Sequence, residues 1–438
     1  MNKIPLNIVG LDGGVIIKKG GGGGVTIKNQ DKSLEIVENG TTEVTADAGF
    51  TGLGKVTIDV NVPTSGGGGS DMPVIGDGKT YLYITIADEA NRDVTVNANT
   101  SGYNGKITID WGDGTITEKG GLHTYAEAGD YVITLTVSEG YTLLLGNNTS
   151  SSNVLGSTSD DNAAIYNKLR MIEIGTNVSA INSYAFYKCA GLTDVYISDS
   201  VTRIGTYAFS YCYALTSLRL PNGAANIENY AFSYCNSLKS LVIPEGVTSI
   251  GTYAFADCYS LTSLVIPEGV TSIGNNAFSN CSSLKSLVIP KGVTSFGRNV
   301  FSSCYSLASL VISEGVTSIG NNAFKPCTAL TSLVISEGVT SIGESAFSGC
   351  VSLASLTIPK SVMSFNNYVF QSAYGLKYID FSQHTEVPTI SSDTFYAVVS
   401  TCKIIVPDAL YDEWKATTNW SSYASKIIKK SDWDASQS

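Results

Sequence analysis

Apolar residues recur with a constant period through the second half of the chain. Phenylalanine returns every 23 residues and finally after 25, at Phe186, Phe209, Phe232, Phe255, Phe278, Phe301, Phe324, Phe347, Phe370 and Phe395. Leucines keep the same register from Leu192 to Leu376. One such unit cannot bury its own apolar side, whereas stacked units can. The pattern therefore predicts a solenoid of about ten to eleven coils.

One unit, LTSLVIPEGVTSIG, shows the elements of each coil. Leu264 and Ile266 alternate with polar positions, which predicts a short strand that Pro267 closes. A Glu-Gly turn follows. Val270 and Ile273 then point inward from a second short extended piece, so each coil should contribute two strands to the stack.

The last part of each unit carries alanine, phenylalanine and cysteine. In the same unit Ala277, Phe278 and Cys281 fit one helical turn, because spacings of three and four share a face. Cysteines form a column at Cys189, Cys212, Cys235, Cys258, Cys281, Cys304, Cys327 and Cys350, which Ala373 continues; Cys402 lies outside it. Since CxxC pairs and accompanying histidines are missing, the column indicates buried, reduced thiols rather than disulfides or a metal site.

These strings resemble a known family. Ile-Pro-Glu-Gly-Val-Thr-Ser-Ile-Gly and Ala-Phe-x-x-Cys recur nearly intact, and from Leu169 to Lys430 the chain resembles the surface-antigen (BspA-like) type of leucine-rich repeat. The resemblance implies a protein of adhesion and recognition. The tail resembles the end cap of such arrays, and Leu410 and Trp414, one helical turn apart, would cover the open core of the last coil.

A different pattern, of short alternating strands between turn residues, occupies residues 72 to about 145. Strands are predicted at YLYITI, VTV, KITIDW and YVITLTV, which favours a small β-sandwich. The strings DWGDGT at 110–115, HTY at 123–125 and GDYV at 129–132 resemble the signature of the PKD-type immunoglobulin-like domain. That resemblance implies a spacer or a minor carbohydrate contact.

Three polar residues of this segment could suggest chemistry. Asp110 and Asp113 could be calcium ligands, but Asp-Gly turns favour a role in backbone geometry. His123 is expected to pack beside the strand that ends at Trp111. We therefore predict no metal site here.

Two glycine runs, at 20–24 and 66–70, bracket a β-rich N-terminal piece. The string from Glu38 to Val60 predicts two strands around a glycine-rich turn, and it resembles a short module of bacteriophage tail and fibre proteins. Polar residues and Pro5 interrupt the N-terminus, so we expect no export signal. This agrees with a virion protein made in the host cytoplasm.

The predicted fold class is mostly β: a leucine-rich-repeat solenoid preceded by an immunoglobulin-like sandwich and a small β-rich N-terminal segment. The expected organisation is an anchoring segment at 1–70, the PKD-like sandwich at 71–147 and a linker at 148–164. The solenoid follows at 165–407, with a helical cap and tail at 408–438.

Composition narrows the function. Apolar residues make up 43% and charged residues 15%, with a net charge of −11 and no basic cluster, which argues against nucleic-acid binding. No apolar run reaches the ~20 residues that span a bilayer. Only two histidines, His123 and His384, occur, and Walker, HExxH and GxSxG motifs are missing. We therefore predict neither an enzyme nor a cofactor.

The remaining candidate is a surface rich in tyrosine. Four successive coils carry tyrosine before Ala-Phe, at Tyr184, Tyr207, Tyr230 and Tyr253, and further tyrosines lie nearby at Tyr187, Tyr211, Tyr213, Tyr234 and Tyr259. Such rings beside Ser, Thr and Asn suit sugars or a protein partner. The alternative is that the first column is partly buried and packs coil on coil.

The working hypothesis is a non-enzymatic virion appendage or tail-fibre-type protein. Its N-terminal segment would attach to other virion proteins, and its solenoid would present a surface to a host glycan or protein receptor. The alternatives are a cell-surface adhesin of a gut bacterium, whose leader lies outside this sequence, and a virion decoration protein without a receptor. A homo-oligomer is compatible with each of these.

Overall fold

A computed structural model describes residues 78–87, 92–101, 105–145, 152–157 and 167–437, together with six short strands between residues 9 and 58. The chain divides into two compact units, Met1–Pro73 and Val74–Ser438. The glycine runs at 20–24 and 66–70 and the residues before 9 lie outside the described part. So does most of the predicted linker at 148–164, where Ser152–Asn153 pairs with Gly156–Ser157.

The described strands of the first unit form antiparallel hairpins. The pairs are Val9–Leu11 with Gly14–Ile16, Val25–Asn29 with Lys32–Ile36, and Thr42–Val44 with Val56–Ile58. The last pair confirms the two strands predicted within the string from Glu38 to Val60. The turn between them lies outside the described residues.

The second unit opens with the predicted β domain. Its strands are Thr80–Ile86, Asp93–Val96, Ala98–Thr100, Ile107–Asp110, Ile116–Thr117, Gly121–Thr124, Gly129–Val137 and Leu143–Leu145. The four strands predicted from alternation are all present. Leu82, Ile109, Trp111 and Tyr125 lie in its core, at 1% exposure or less.

The longer strands of the repeats form one side of the solenoid, here named the strand face. They are Leu169–Ile174, Asp194–Ile197, Ser217–Arg219, Ser240–Val242, Ser263–Val265, Ser286–Ile289, Ser309–Ile312, Ser332–Ile335, Ser355–Thr357, Tyr378–Asp380 and Lys403–Val406. Most neighbouring strands are linked in parallel ladders; for example Leu287 pairs with Leu310. As predicted, alternate residues such as Leu264 and Ile266 are buried.

The second extended piece of each coil forms the narrow face. Its strands are Ala180–Ile181, Arg203–Ile204, Asn226–Ile227, Ser249–Ile250, Ser272–Ile273, Ser295–Phe296, Ser318–Ile319, Ser341–Ile342, Ser364–Phe365 and Thr389–Ile390. They join one continuous parallel sheet. Val270 and Ile273 point inward, as expected, at 0% and 3% exposure. The solenoid has about 11 turns.

The third side of the solenoid, here named the turn face, carries the motif Ala-Phe-x-x-Cys. The prediction of a helical turn in this motif is wrong. The segment of Ala277, Phe278 and Cys281 consists of turns, because Asn276 and Asn280 have left-handed φ angles of 56° and 61°. Alternate amides then donate to the next coil instead of along a helix. Phe278 N–H donates to the carbonyl of Val300 at 2.9 Å.

Identical side chains meet inside the stack. The repeat phenylalanines lie ring on ring, and those of Phe209 and Phe232 are 5.1 Å apart with an interplanar angle of 3°. The cysteine column is buried beside them as free thiols, which confirms the prediction for this column. Each thiol from Cys212 to Cys350 contacts the carbonyl oxygen of the phenylalanine in the preceding coil. For Cys281 and Phe255 the distance is 3.5 Å.

The β domain and the solenoid share their sheets. Thr80–Ile86 pairs antiparallel with Leu169–Ile174, the first strand of the strand face. Leu143–Leu145 joins the narrow face through Leu145, which pairs with Ile181. Gly175 permits this junction, because a Cβ there would lie 1.7 Å from the carbonyl oxygen of Lys79. The β domain therefore covers the first coil and closes the N-terminal end of the core.

The other end is closed by short helices. Tyr411–Ala416 is α-helical, Asp408–Leu410 and Trp420–Tyr423 are 3₁₀ turns, and Ile427–Lys429 adds a parallel strand before the helix Lys430–Gln437. Trp414 is fully buried, with its ring 5.5 Å from that of Phe381 in the last coils. None of the helices in the described part of the chain is long and apolar enough to cross a membrane.

Removing one hydroxyl at the junction should weaken the attachment of the β domain to the first coil. Thr80 is fully buried; its hydroxyl donates to Asn177 Oδ1 at 2.8 Å and accepts from Gly175 N–H at 3.2 Å. Thr80→Val leaves both partners unsatisfied, so we expect a loss of about 1–3 kcal/mol in the free energy of unfolding.

Denaturant unfolding measures this loss, with Thr108→Val as the control, since Thr108 is an exposed threonine two strands away in the same sheet. Equal stability of the two variants would contradict the proposed importance of the junction.

The cysteines should be inert in the folded protein. Burial raises the pKa of Cys258, Cys304 and Cys350 to about 12, so almost no thiolate forms at pH 8. We expect an aromatic disulfide reagent at pH 8 to modify fewer than one thiol per folded chain and all nine after unfolding. Rapid modification of several thiols in the folded state would show that the column is accessible.

Candidate binding surface

Most coils of the turn face have two positions at which the backbone is left-handed. One precedes the repeat phenylalanine by two residues and the other follows it by two, as at Tyr207 and Tyr211 around Phe209, with φ angles of 57° and 64°. Between these positions the chain makes two tight turns. Side chains at both positions therefore project from the corner of the coil and line up from coil to coil.

The first four coils place tyrosine at the earlier of these positions. Tyr184, Tyr207, Tyr230 and Tyr253, here named the tyrosine column, stack ring on ring at centroid separations of 5.0, 4.5 and 4.8 Å. Each is half-buried. The column therefore packs coil on coil, as the alternative reading of the sequence expected, and it also leaves part of each ring accessible.

A second group of rings lies beside the column. Tyr211 and Tyr234 stack at 4.6 Å, and Tyr187 meets Tyr211 edge-on at 5.5 Å. All three are half-buried. Lys188 extends the group, with its amine 5.4 Å from the centre of the Tyr187 ring. The two groups form one continuous aromatic surface over four coils.

Tyr213 and Tyr259 project furthest from this surface, with 43% and 42% of the residue exposed. The Tyr259 hydroxyl donates to Asp257 Oδ1 at 3.0 Å, and Asn280 Nδ2 donates to the same oxygen at 2.8 Å. Burial raises the pKa of Tyr259 to about 12, and the hydrogen bond to Asp257 acts in the same direction. This hydroxyl therefore stays neutral at physiological pH.

Three exposed tyrosines, Tyr305, Tyr374 and Tyr396, are missing from the set drawn from the sequence. Tyr305 is 47% exposed and occupies the same repeat position as Tyr213 and Tyr259, four residues after the phenylalanine. It lies 46 residues after Tyr259, as Tyr259 lies 46 after Tyr213. That spacing was the signal that could have identified it.

The backbone makes tyrosine an unfavourable choice for the column. For a residue other than glycine, the left-handed backbone conformation costs about 1 kcal/mol of free energy, and this cost is smallest for asparagine. The following coils use asparagine at this position, at Asn276, Asn299 and Asn322, with φ angles of 54° to 57°. The same backbone therefore accepts a residue that suits it better, and the first four coils do not use one.

The polar residues of the β domain have structural roles. Asp110 Oδ1 accepts from Gly112 N–H at 3.0 Å, and Asp113 Oδ1 accepts from Thr115 N–H at 2.9 Å. The His123 ring stacks on Trp111 at 4.6 Å and its Nε2 lies 2.7 Å from Asp113 Oδ2. The expected turn geometry and packing are confirmed. Among the described residues no group of His, Cys, Asp or Glu is arranged to hold a metal ion.

Two family models match the chain. A model described as BspA type leucine-rich repeat region (6 copies) matches residues 160–285, 248–377 and 294–413. A model of the PKD domain matches residues 84–153. The first covers more than half of the chain. The leucine-rich-repeat and PKD resemblances drawn from the sequence motifs are therefore confirmed.

Solved structures give further relatives. A leucine-rich repeat protein of T. pallidum is 31% identical over 40% of this chain and 72% of its own, with a TM-score of 0.32. A leucine-rich cell surface protein from Faecalibacterium prausnitzii is 28% identical over 56% and 81%, with a TM-score of 0.30. A leucine-rich repeat protein from Bacteroides ovatus is 25% identical over 67% and 96%, with a TM-score of 0.29.

The family assignment rests on the family model, since all three TM-scores are below 0.5. No curated protein matches the chain. The chain belongs to the BspA type of leucine-rich repeat proteins and carries a PKD domain ahead of its repeats.

Proposed function

We propose that this chain is a non-enzymatic recognition protein that attaches to a cell surface through the aromatic surface of its first coils. The observation that carries the proposal is the tyrosine column at left-handed positions, where the next three coils use asparagine. Rings with polar tips, arranged on a stiff scaffold, bind sugars and proteins with little loss of conformational entropy. Relatives that include a cell surface protein of a gut bacterium support this proposal.

The environments of the histidines and cysteines support a binding role over catalysis. His384 is 3% exposed, and its two ring nitrogens lie 3.1 and 3.2 Å from the carbonyl oxygens of Phe381 and Val362. Burial lowers the pKa of His384, although the two carbonyls favour its charged form, so the ring is neutral and its single N–H donates to one of them. His123 is engaged with Asp113, and the thiols are buried. These groups have structural partners rather than open substrate positions.

We further propose that the protein is carried on a bacteriophage virion, as an appendage or tail-fibre-type protein. The hairpin of Thr42–Val44 and Val56–Ile58 favours this location, because its sequence resembles a module of phage tail and fibre proteins. Other virion proteins would bind the N-terminal segment, and the host receptor, a glycan or a protein, would bind the solenoid. The second candidate is an adhesin on the surface of a gut bacterium, which the F. prausnitzii relative favours.

Replacing two rings by asparagine should remove binding while the fold is retained. Tyr211→Asn with Tyr234→Asn loses one stacked pair and the edge-on contacts of Tyr211 with Tyr187 and Tyr213, each worth about 0.5–1.5 kcal/mol, but places a better residue at two left-handed positions. We expect the free energy of unfolding to fall by no more than about 2 kcal/mol. Attachment of the labelled full chain to intact gut-bacterial cells should fall at least tenfold.

The matched control is Ser303→Asn with Ser372→Asn, which introduces the same residue at the same repeat position in later coils, where φ is also left-handed. It should attach as well as the unaltered chain. Undiminished attachment of the tyrosine variant, with its fold intact, would remove this surface from consideration.

The carrier can be identified by imaging. Antibodies against the solenoid should label particles in virion preparations purified from the producing culture, because a virion appendage presents its recognition domain outward. Label confined to bacterial cells would identify the surface adhesin instead. A labelled particle that adsorbs normally after the antibody covers the solenoid would favour a decoration protein without a receptor.

A further inference from the structure

Three of the five exposed tyrosines in the described part of the chain form a row with a period of two coils. Tyr213, Tyr259 and Tyr305, here named the outer row, share one repeat position in alternate coils, and each is more than 40% exposed. Stacked rings of neighbouring coils are 5.1 and 5.2 Å apart, so two coils separate the members of the row by roughly 10 Å. The row is therefore a line of evenly spaced apolar platforms parallel to the axis of the stack.

The coils between them carry small polar residues at the same position. Asn236 and Ser282 alternate with the rings, so the stretch from Tyr213 to Tyr305 has no charged residue in this column. Rings that alternate with neutral hydrogen-bonding groups suit a neutral sugar chain better than a polyanion.

Backbone hydrogen bonds fix the spacing of the row. Ser237 N–H donates to the carbonyl of Tyr213 at 3.2 Å, Ser260 N–H to that of Asn236 at 3.2 Å, and Ala329 N–H to that of Tyr305 at 3.1 Å. The Tyr259 ring is also held through its hydroxyl by Asp257. The platforms are thus positioned before a ligand arrives, which reduces the entropic cost of binding.

We propose that the outer row binds an extended, neutral β-1,4-linked glycan along the axis of the solenoid, with one tyrosine under each successive disaccharide. In such a chain alternate sugars present the same face at a repeat that matches two coils. Each ring then contacts the apolar C–H face of one sugar, and the hydroxyl edges face the polar residues between the rings. This inference deepens the proposed function and rests on it.

Titration calorimetry with the full chain tests the proposal. The probes are cellohexaose and chitohexaose, their disaccharides, and maltohexaose, whose α-1,4 linkages curve the chain. We expect one β-1,4 hexasaccharide to bind at least tenfold more tightly than its disaccharide and than maltohexaose, because only an extended chain reaches all three rings.

Variants identify the contact. Tyr259→Ala removes the central ring and should weaken hexasaccharide binding at least tenfold, whereas Tyr259→Phe keeps the ring and should bind within threefold of the unaltered chain. Tyr374→Ala is the control. Tyr374 is 57% exposed and has the same repeat position, but it lies three coils after Tyr305 and so does not fit the two-coil spacing of the row. It should leave binding unchanged.

Three results would overturn the inference: no binding of either β-1,4 hexasaccharide, equal affinity for disaccharide and hexasaccharide, or full binding by Tyr259→Ala. If the chain attaches to cells but binds neither hexasaccharide, the proposed function stands and the glycan assignment fails. Failure of attachment to cells together with failure of glycan binding would remove both.

Discussion

The structure depends on backbone hydrogen bonds between coils of equal length. Most coils repeat after 23 residues, so a buried side chain contacts the residue at the same repeat position of the next coil, about 5 Å away. Backbone hydrogen bonds between coils on all three faces maintain this register. The one longer coil obeys the same constraint. Its two extra residues lie between Phe381 and Ile390, and His384 fills the space there by facing the carbonyls of Phe381 and Val362. The ladders on either side continue undisturbed.

A stack of this kind has two vulnerable places, its ends. Each would expose unpaired strand edges and a slice of the apolar core. At the C-terminal end Trp414 and Trp420, both fully buried, cover the core, and a further strand pairs with Lys403–Val406. At the N-terminal end the PKD domain extends both sheets. A domain type that often serves as a spacer is here part of the solenoid's own hydrophobic core.

The sequence predicted the features that depend on one repeat, because period and polarity determine which residues face inward. The strands, the phenylalanine stack and the thiol column could therefore be predicted from the sequence. The helical turn at Ala277 was not correctly predicted, since a spacing of three and four also fits tight turns with left-handed residues. Asn276 and Asn280 indicated such turns, because asparagine is typical of left-handed positions. The tyrosines at the equivalent positions of earlier coils gave no such indication. The junction of Thr80–Ile86 with Leu169–Ile174 is non-local, and Gly175 was its one local sign.

The distribution of tyrosine separates what the backbone requires from what the surface does. Every coil but the last has a left-handed backbone two residues before its phenylalanine, so architecture alone gives no reason for Tyr207 and Tyr230 where later coils have Asn299 and Asn322. Ring stacking offsets part of the backbone strain of tyrosine at this position. A ring pair contributes about 0.5–1.5 kcal/mol, which is comparable to the strain of one residue. The free energy of unfolding is therefore expected to be nearly the same with tyrosine or with asparagine at this position. Tyr368 is the one later tyrosine at this position. A run of tyrosines in four adjoining coils, almost neutral for folding and located on an accessible corner, is best explained by what that corner contacts.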